Sequence, residues 1–545
     1  MKKIKNTVLL LALSLVAFSC NDYLDINENP NSAHIEDVSP SFLFPGAAAS
    51  IHRVQTAGTG SMMDFGNLMM NSWGSNAYAF GGGFSREFTL STVDSSFYGG
   101  IWTTIYQQCA NLKLIEDYPN GNHKQDNYVA MAKVMKAFYM QYIVDLYGDS
   151  PYSEAFKFLS NTTPKYDDDK EIYKALISDL ETAIALIDAA DSNAIAPAAT
   201  DVVFAGDMAK WKRFANTVKL RMLIRMSNVT GDMATYRDQK LATLPTAATA
   251  YITQDVTVNP GYSGGNDEKM NPLLAGYRIT SASTLPQNFN AITASEHIAI
   301  ALNGNKIGTA QPFSSDPIYT KFTSIIDPRS SRLFTLIAYQ GATPTQVKGV
   351  RQGAQSGQPG APIDNTNTSR LGNGTFVGGA TTGTVITAGN ARGGLIMSLA
   401  ECKFLLAEAA LRYPAFPAGQ TRFNEGIDAS GAWLGANTAA MALYKTQIST
   451  RPGLGWTGSN AQILEAIMTQ KWLAMTNVSP TESFIDYLRT GYPVTPMAVN
   501  ASVTNKPYRL MYPISEYSAN SANVPNLTSA QLFVKNQYTP FWNQN

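Results

Sequence analysis

The stretch Tyr128 to Tyr147, YVAMAKVMKAFYMQYIVDLY, decides the fold class. Its only strongly polar side chains are Lys133, Lys136, Gln141 and Asp145, which fall on one narrow stripe of a helix. A helix that is apolar around most of its circumference must be surrounded by other elements. Gly148 and Pro151 then close it. On its N-terminal side, 101–118 reads as a shorter helix. On its C-terminal side, Glu171 to Asp188 places Ile172, Leu176, Leu180, Ile184 and Ile187 at helical spacing. Trp211, Phe214, Val218, Met222 and Met226 make a third apolar face. The helices therefore arrive in hairpins, with large insertions between them.

Further along, Gly393 to Tyr413 carries Ala400, Ala407, Ala409 and Ala410 among larger apolar residues, and small side chains let paired helices approach closely. Ile463 to Met475 and Glu482 to Leu488 form another pair. A strict 34-residue period is absent, but degenerate tetratricopeptide-like pairs fit. Between the helical blocks, 250–290 and 340–392 are rich in Gly, Asn, Thr and Pro, and Gly372 to Val377 with Gly383 to Thr387 reads as a short hairpin. The expectation is a mainly α fold: tetratricopeptide-like helix pairs, long irregular insertions over about 245–392, small β-hairpins, and an irregular C-terminal segment 491–545. That last segment holds Tyr508, Tyr512, Phe541 and Trp542, too many aromatics to dangle.

Composition excludes several classes. The 545 residues carry 41 basic and 41 acidic side chains. Setting aside Lys2, Lys3 and Lys5 of the leader leaves a net charge of −3, which argues against nucleic acid, whose phosphates demand a basic surplus. Charged residues are only 15%, below the roughly 25% usual in soluble domains. With 10% aromatics the chain is nevertheless folded rather than disordered.

Residues 1–20, MKKIKNTVLLLALSLVAFSC, have a charged start and an apolar run too short to span a bilayer. Two readings apply: an ordinary cleaved secretory signal, or a lipoprotein signal over 1–19 with Cys20 acylated. The second is preferred, although Phe18 makes Ala17-Phe18-Ser19 depart from the run of small residues usual before such a cysteine. Cys109 and Cys402 sit in apolar helical stretches and read as buried free thiols rather than a disulfide.

The search for chemistry returns little. His34, His52, His123 and His297 are scattered without ligand spacing, so no metal is expected, and no cofactor motif occurs. Asp167-Asp168-Asp169 is better explained as a helix N-terminus than as a cation site. Gly261-Tyr-Ser263-Gly-Gly265 matches a nucleophile-elbow pattern but lies among Pro260 and polar residues, the wrong context for one. No catalytic residue is assigned, although a glycosidase-type carboxylate pair stays open at this level. The remaining signal is aromatic: Trp73, Asn76, Tyr78 and Phe80 lie in a segment rich in Gly, Ser and Asn. If the helix from about Met62 continued there, Trp73 and Asn76 would share a face, an indole for a sugar ring beside an amide for its hydroxyls. Tyr262 and Tyr277 are lesser candidates. The competing reading puts Trp73 in the core. The two differ in outcome, since Trp73→Ala costs affinity in the first case and stability in the second.

Cys20 followed by Asn-Asp22-Tyr-Leu24-Asp25-Ile26-Asn27-Glu28-Asn29-Pro30-Asn31 resembles the mature start of SusD/RagB-family outer-membrane lipoproteins of Bacteroidetes, closest to the SusD-like branch. The Trp73 segment, Tyr142-Ile-Val-Asp145-Leu-Tyr147-Gly148-Asp149-Ser-Pro151-Tyr152 and Tyr508-Arg509-Leu-Met-Tyr512-Pro513 extend the resemblance over most of the mature chain. It implies one SusD-like helical domain over 20–545 with four tetratricopeptide-like pairs, anchored outside the outer membrane. It also implies a SusC-like TonB-dependent transporter as partner and glycans, or peptides as in RagB, as ligands, without catalysis. A secreted helical glycoside hydrolase or lyase is the alternative.

Overall fold

The computed structural model describes residues 38–75, 84–304, 317–339, 342–361, 368–376 and 382–544. Among them, helices of eight residues or more are α1 (Pro40–Thr56), α2 (Met62–Met69), α3 (Gly99–Asp117), α4 (Asp126–Tyr147), α5 (Asp169–Ala189), α6 (Met208–Arg225), α7 (Gly231–Leu241), α8 (Thr382–Arg392), α9 (Leu399–Arg412), α10 (Gly419–Leu434), α11 (Thr438–Ile448), α12 (Asn460–Met475) and α13 (Pro480–Thr490). Six short strands are β1 (Trp73–Ser75), β2 (Val256–Val258), β3 (Ile292–Ala294), β4 (Ile337–Tyr339), β5 (Ala342–Gln346) and β6 (Gly394–Met397). They form three antiparallel pairs, β1 with β3, β2 with β6, and β4 with β5. The mainly helical architecture expected from the sequence is the one found.

The α4 helix is the axis of the N-terminal half, packed by α3, α5 and α6, while α9 packs on α10 and α12. Apart from Lys133 at the margin, α4 is buried along its whole length, including the polar stripe. That stripe does not face water. Lys133 reaches Asp179 at 2.6 Å and Lys136 reaches Glu116 at 2.8 Å, both on neighbouring helices. Asp145 accepts from Arg225 of α6 at 3.1 Å and from the Tyr173 hydroxyl of α5. The narrow stripe is thus a seam of interhelical bonds, because burying these groups is tolerable only if they are paired.

The seam continues into a larger ionic cluster between the two halves. Arg225 also contacts Glu482 at 2.7 Å and Asp486 at 3.3 Å, both of α13. Asp486 binds Lys471 of α12 at 2.6 Å and Arg489 at 2.9 Å, and Arg489 binds Glu408 of α9 at 2.5 Å. Arg221 lies 3.5 Å from Glu401 and 3.3 Å from Glu482. Burial, with the Glu482 carboxylate alongside, raises Glu401 above the ordinary carboxylate range. Burial alone would raise Glu482 too, but Arg225 and Arg221 hold it below that range.

Asp168 caps α5 by accepting from Lys170 N at 2.9 Å, and Asp167 accepts from Tyr152 N and Ser153 N, each at 2.8 Å. Asp169 accepts from Phe541 N at 2.7 Å, so all three aspartates have structural work. The C-terminal segment packs down as expected: Tyr512, Phe541 and Trp542 are buried, and Tyr512 donates to Asp149 O at 2.8 Å. Cys109 and Cys402 are free and buried.

Two sequence readings need correction. The segment read as a hairpin contains a helical turn, Asn373–Phe376, and the helix α8 instead. Val385 is buried and Gly389 lies where a Cβ would come within 2.9 Å of Leu274, so packing overrides the β-branched local preference. The helix from Met62 does not reach Trp73. Asn71 takes a left-handed φ of 52° after α2, and the chain leaves as β1.

Candidate functional site

The outer face of α1 borders two open cavities, which make it the candidate site. Ile51, His52 and Gln55 point inward: His52 Nε2 contacts Leu395 O of β6 at 3.1 Å, and Gln55 Nε2 donates to Ile396 O at 3.0 Å. Gly394 makes this approach possible, because a Cβ there would lie 2.3 Å from the imidazole. Burial lowers His52 to about 4, so the ring is neutral and locks α1 onto the sheet pair. With that face fixed, Ser50, Arg53, Val54 and Ala57 follow at i, i+3, i+4 and i+7 on the other side.

Two open cavities meet at Ser50 and Arg53. One, of about 370 Å³, lies between α1 and the 260–269 loop and is lined by Tyr262, Ser263, Glu268 and Lys269. The other, of about 440 Å³, is lined by the α1–α2 turn and by Thr104, Gln107 and Gln108 on one face of α3. Both volumes lie within the roughly 300–1,000 Å³ typical of ligand sites. The half-buried Arg53 guanidinium makes no hydrogen bond or ion pair among the described residues, and it lines the same cavity as Tyr262. The Tyr262 hydroxyl is buried without a partner there. Among the described residues, Glu268 is the one acidic residue lining either cavity. The described lining therefore offers donors, hydroxyls, amides and one aromatic ring.

The sequence candidates divide. Tyr262 lines the groove. Tyr277 is buried behind it, its hydroxyl within 2.7 Å of Asp64 Oδ1, 2.8 Å of Ser61 Oγ and 2.9 Å of Gly58 O, so it staples the α1–α2 turn that forms one wall. Burial raises Asp64 to about 7. Trp73 is only 1% exposed and packs on Tyr277 with ring centroids 5.7 Å apart. Its indole N–H donates to Asn477 Oδ1 at 2.6 Å. In this structure Trp73 and Tyr277 are core residues rather than surface platforms, since β1 pairing with β3 turns the indole inward. Asn76, Tyr78, Phe80 and Cys20 lie outside the described residues. Arg53 was not foreseen. Its signal was available, as the one Lys or Arg in a helix otherwise built of apolar, small and neutral polar residues.

Helix pairs, three short ladders and an open polar groove define a helical-repeat binding scaffold. Residues 33–513 match the SusD-like family described as "Starch-binding associating with outer membrane", and the chain belongs to that family. Among solved structures it is similar to a chitin-binding SusD homologue from Flavobacterium johnsoniae at 20% identity and a TM-score of 0.65, covering 92% of this chain and 98% of that one. A SusD homologue from Bacteroides thetaiotaomicron aligns at 19% identity and TM-score 0.62, covering 89% and 93%. One from Bacteroides uniformis aligns at 20% and 0.62, covering 88% and 95%. At these identities the likeness is one of fold. Comparison with curated proteins finds no significant sequence match.

Proposed function

We propose that the protein is a non-catalytic, cell-surface glycan-binding lipoprotein that passes its ligand to a SusC-like TonB-dependent transporter. The observation that carries the reading is family membership across residues 33–513. The groove around Arg53 suits it, because a guanidinium and amides can bond sugar hydroxyls while Tyr262 offers a ring. In this reading 1–19 is removed, Cys20 is acylated, and 20–545 is one domain facing outward from the outer membrane. Asn76, Tyr78 and Phe80 remain candidates for further ligand contacts.

Binding to an array of glycans and peptides tests the ligand class. Arg53→Ala should weaken the retained glycan about tenfold, equivalent to about 1.4 kcal/mol, with melting unchanged because Arg53 holds nothing else together. Unaltered binding by that variant would remove the groove from the site. Retention of peptides alone would favour a RagB-like role, and product release on long incubation a hydrolase.

Cys20→Ala should leave a folded protein in the soluble fraction, since the acyl chains supply the membrane affinity. Gentle detergent extraction of the unaltered protein should recover a large β-barrel with it. A Cys20→Ala variant that still sediments with membranes lacking that barrel would contradict lipid anchoring.

A further inference from the structure

A second cavity, of about 290 Å³, opens between α10, α11 and the turn that leads to Trp456. It shares no lining residue with the Arg53 groove. Trp456 is half-buried and rests on Phe423 of α10, ring centroids 5.9 Å apart at 56°. Its benzo edge lies over Gly419, where a Cβ would come within 2.5 Å of the indole, so the absence of a side chain there lets the ring lie against the first turn of α10. Gln420 and Asn424, one helical turn apart, bring two amides to the same cavity. Among the described residues neither amide nor the indole N–H has a hydrogen-bond partner. Lys445, the one cation lining it among the described residues, is held by Asp428 at 2.5 Å.

This combination is selective. A flat indole suits the C–H face of a pyranose, and two amides supply both donors and acceptors for its hydroxyls. With the lysine already neutralised, nothing in the cavity calls for an anionic ligand. The volume falls just below the roughly 300–1,000 Å³ typical of ligand sites, room for a short stretch of sugar rather than a long chain. We propose that the α10–α11 hairpin carries a second subsite, for a neutral sugar ring, centred on Trp456 and flanked by Gln420 and Asn424. The proposal rests on the glycan-binding reading above.

Calorimetric titration with maltoheptaose and with N-acetylchitohexaose tests it, using the unaltered protein, Trp456→Ala, the double variant Gln420→Ala/Asn424→Ala, and Arg53→Ala. The expected result is a binding event that Arg53→Ala keeps and that both the Trp456 and the amide variants weaken tenfold or more. The amide variant guards against misfolding, since it removes only unpaired side chains at the cavity. Identical titrations for the unaltered protein and both variants overturn the subsite, including the case in which no heat is seen with either sugar. If Arg53→Ala still weakens the glycan retained on the array, the glycan reading survives that failure. If no glycan is retained at all, both fall together.

Discussion

Replacing Arg225 with Met should destabilise the protein by about 3–5 kcal/mol, the usual cost of leaving buried charge uncompensated. Arg225 is 2% exposed and contacts three buried carboxylates, Asp145, Glu482 and Asp486, from two different helices. Its guanidinium also lies over the Trp542 ring, 5.6 Å from the centroid, so the C-terminal segment is tied to the same point. Methionine fills much of the volume but leaves Asp145 without its cation, while Glu482 keeps Arg221 and Asp486 keeps Lys471 and Arg489. The variant's carboxylates would then bind protons more readily when folded than when unfolded, so its stability falls as pH rises and the gap from the unaltered protein narrows on acidification. Urea denaturation at two pH values measures both effects. Adding Glu482→Gln to Arg225→Met should recover part of the loss, because it removes one of the charges that Arg225 had balanced. A loss below about 1 kcal/mol for the single variant would mean that water or rearrangement compensates these acids, against the dry cluster described here.

This cluster also shows where sequence reading stops. Periodicity located the helices: Tyr128 to Tyr147 against Asp126–Tyr147, and Glu171 to Asp188 against Asp169–Ala189. Those boundaries follow from local patterns, since an apolar face repeats within a few residues. Which charge meets which does not, because Arg225 lies 80 residues from Asp145 and 257 from Glu482. The same distinction separates the correct helices from the misread loops. At Trp73 the local composition admits a surface turn, while the deciding facts are pairing with β3 and a hydrogen bond to Asn477, both far along the chain. Arg53 was overlooked for the opposite reason. Its helix is plain to read, but a lone arginine gains meaning only when the 260–269 loop closes a cavity over it.

Trp73→Ala should cost about 3–5 kcal/mol of stability while leaving the affinity of the folded fraction unchanged. The indole is buried between Tyr277 and the strand pair, so truncation opens a cavity beneath the α1–α2 turn. It also strands Asn477 Oδ1, whose amide nitrogen already donates to Leu333 O at 3.0 Å. Trp73→Phe separates the two losses. It restores part of the volume but not the N–H donor, and a buried acceptor left unmet costs about 1–3 kcal/mol. The order of stability should therefore be Trp, then Phe, then Ala. Melting curves and glycan titration on the same samples decide the matter. A Trp73→Ala protein that melts within a degree or two of the unaltered one, yet binds ten times more weakly, would place the indole against ligand. That outcome would contradict its position behind Tyr277 and move the binding site from the Arg53 groove to the segment that follows β1.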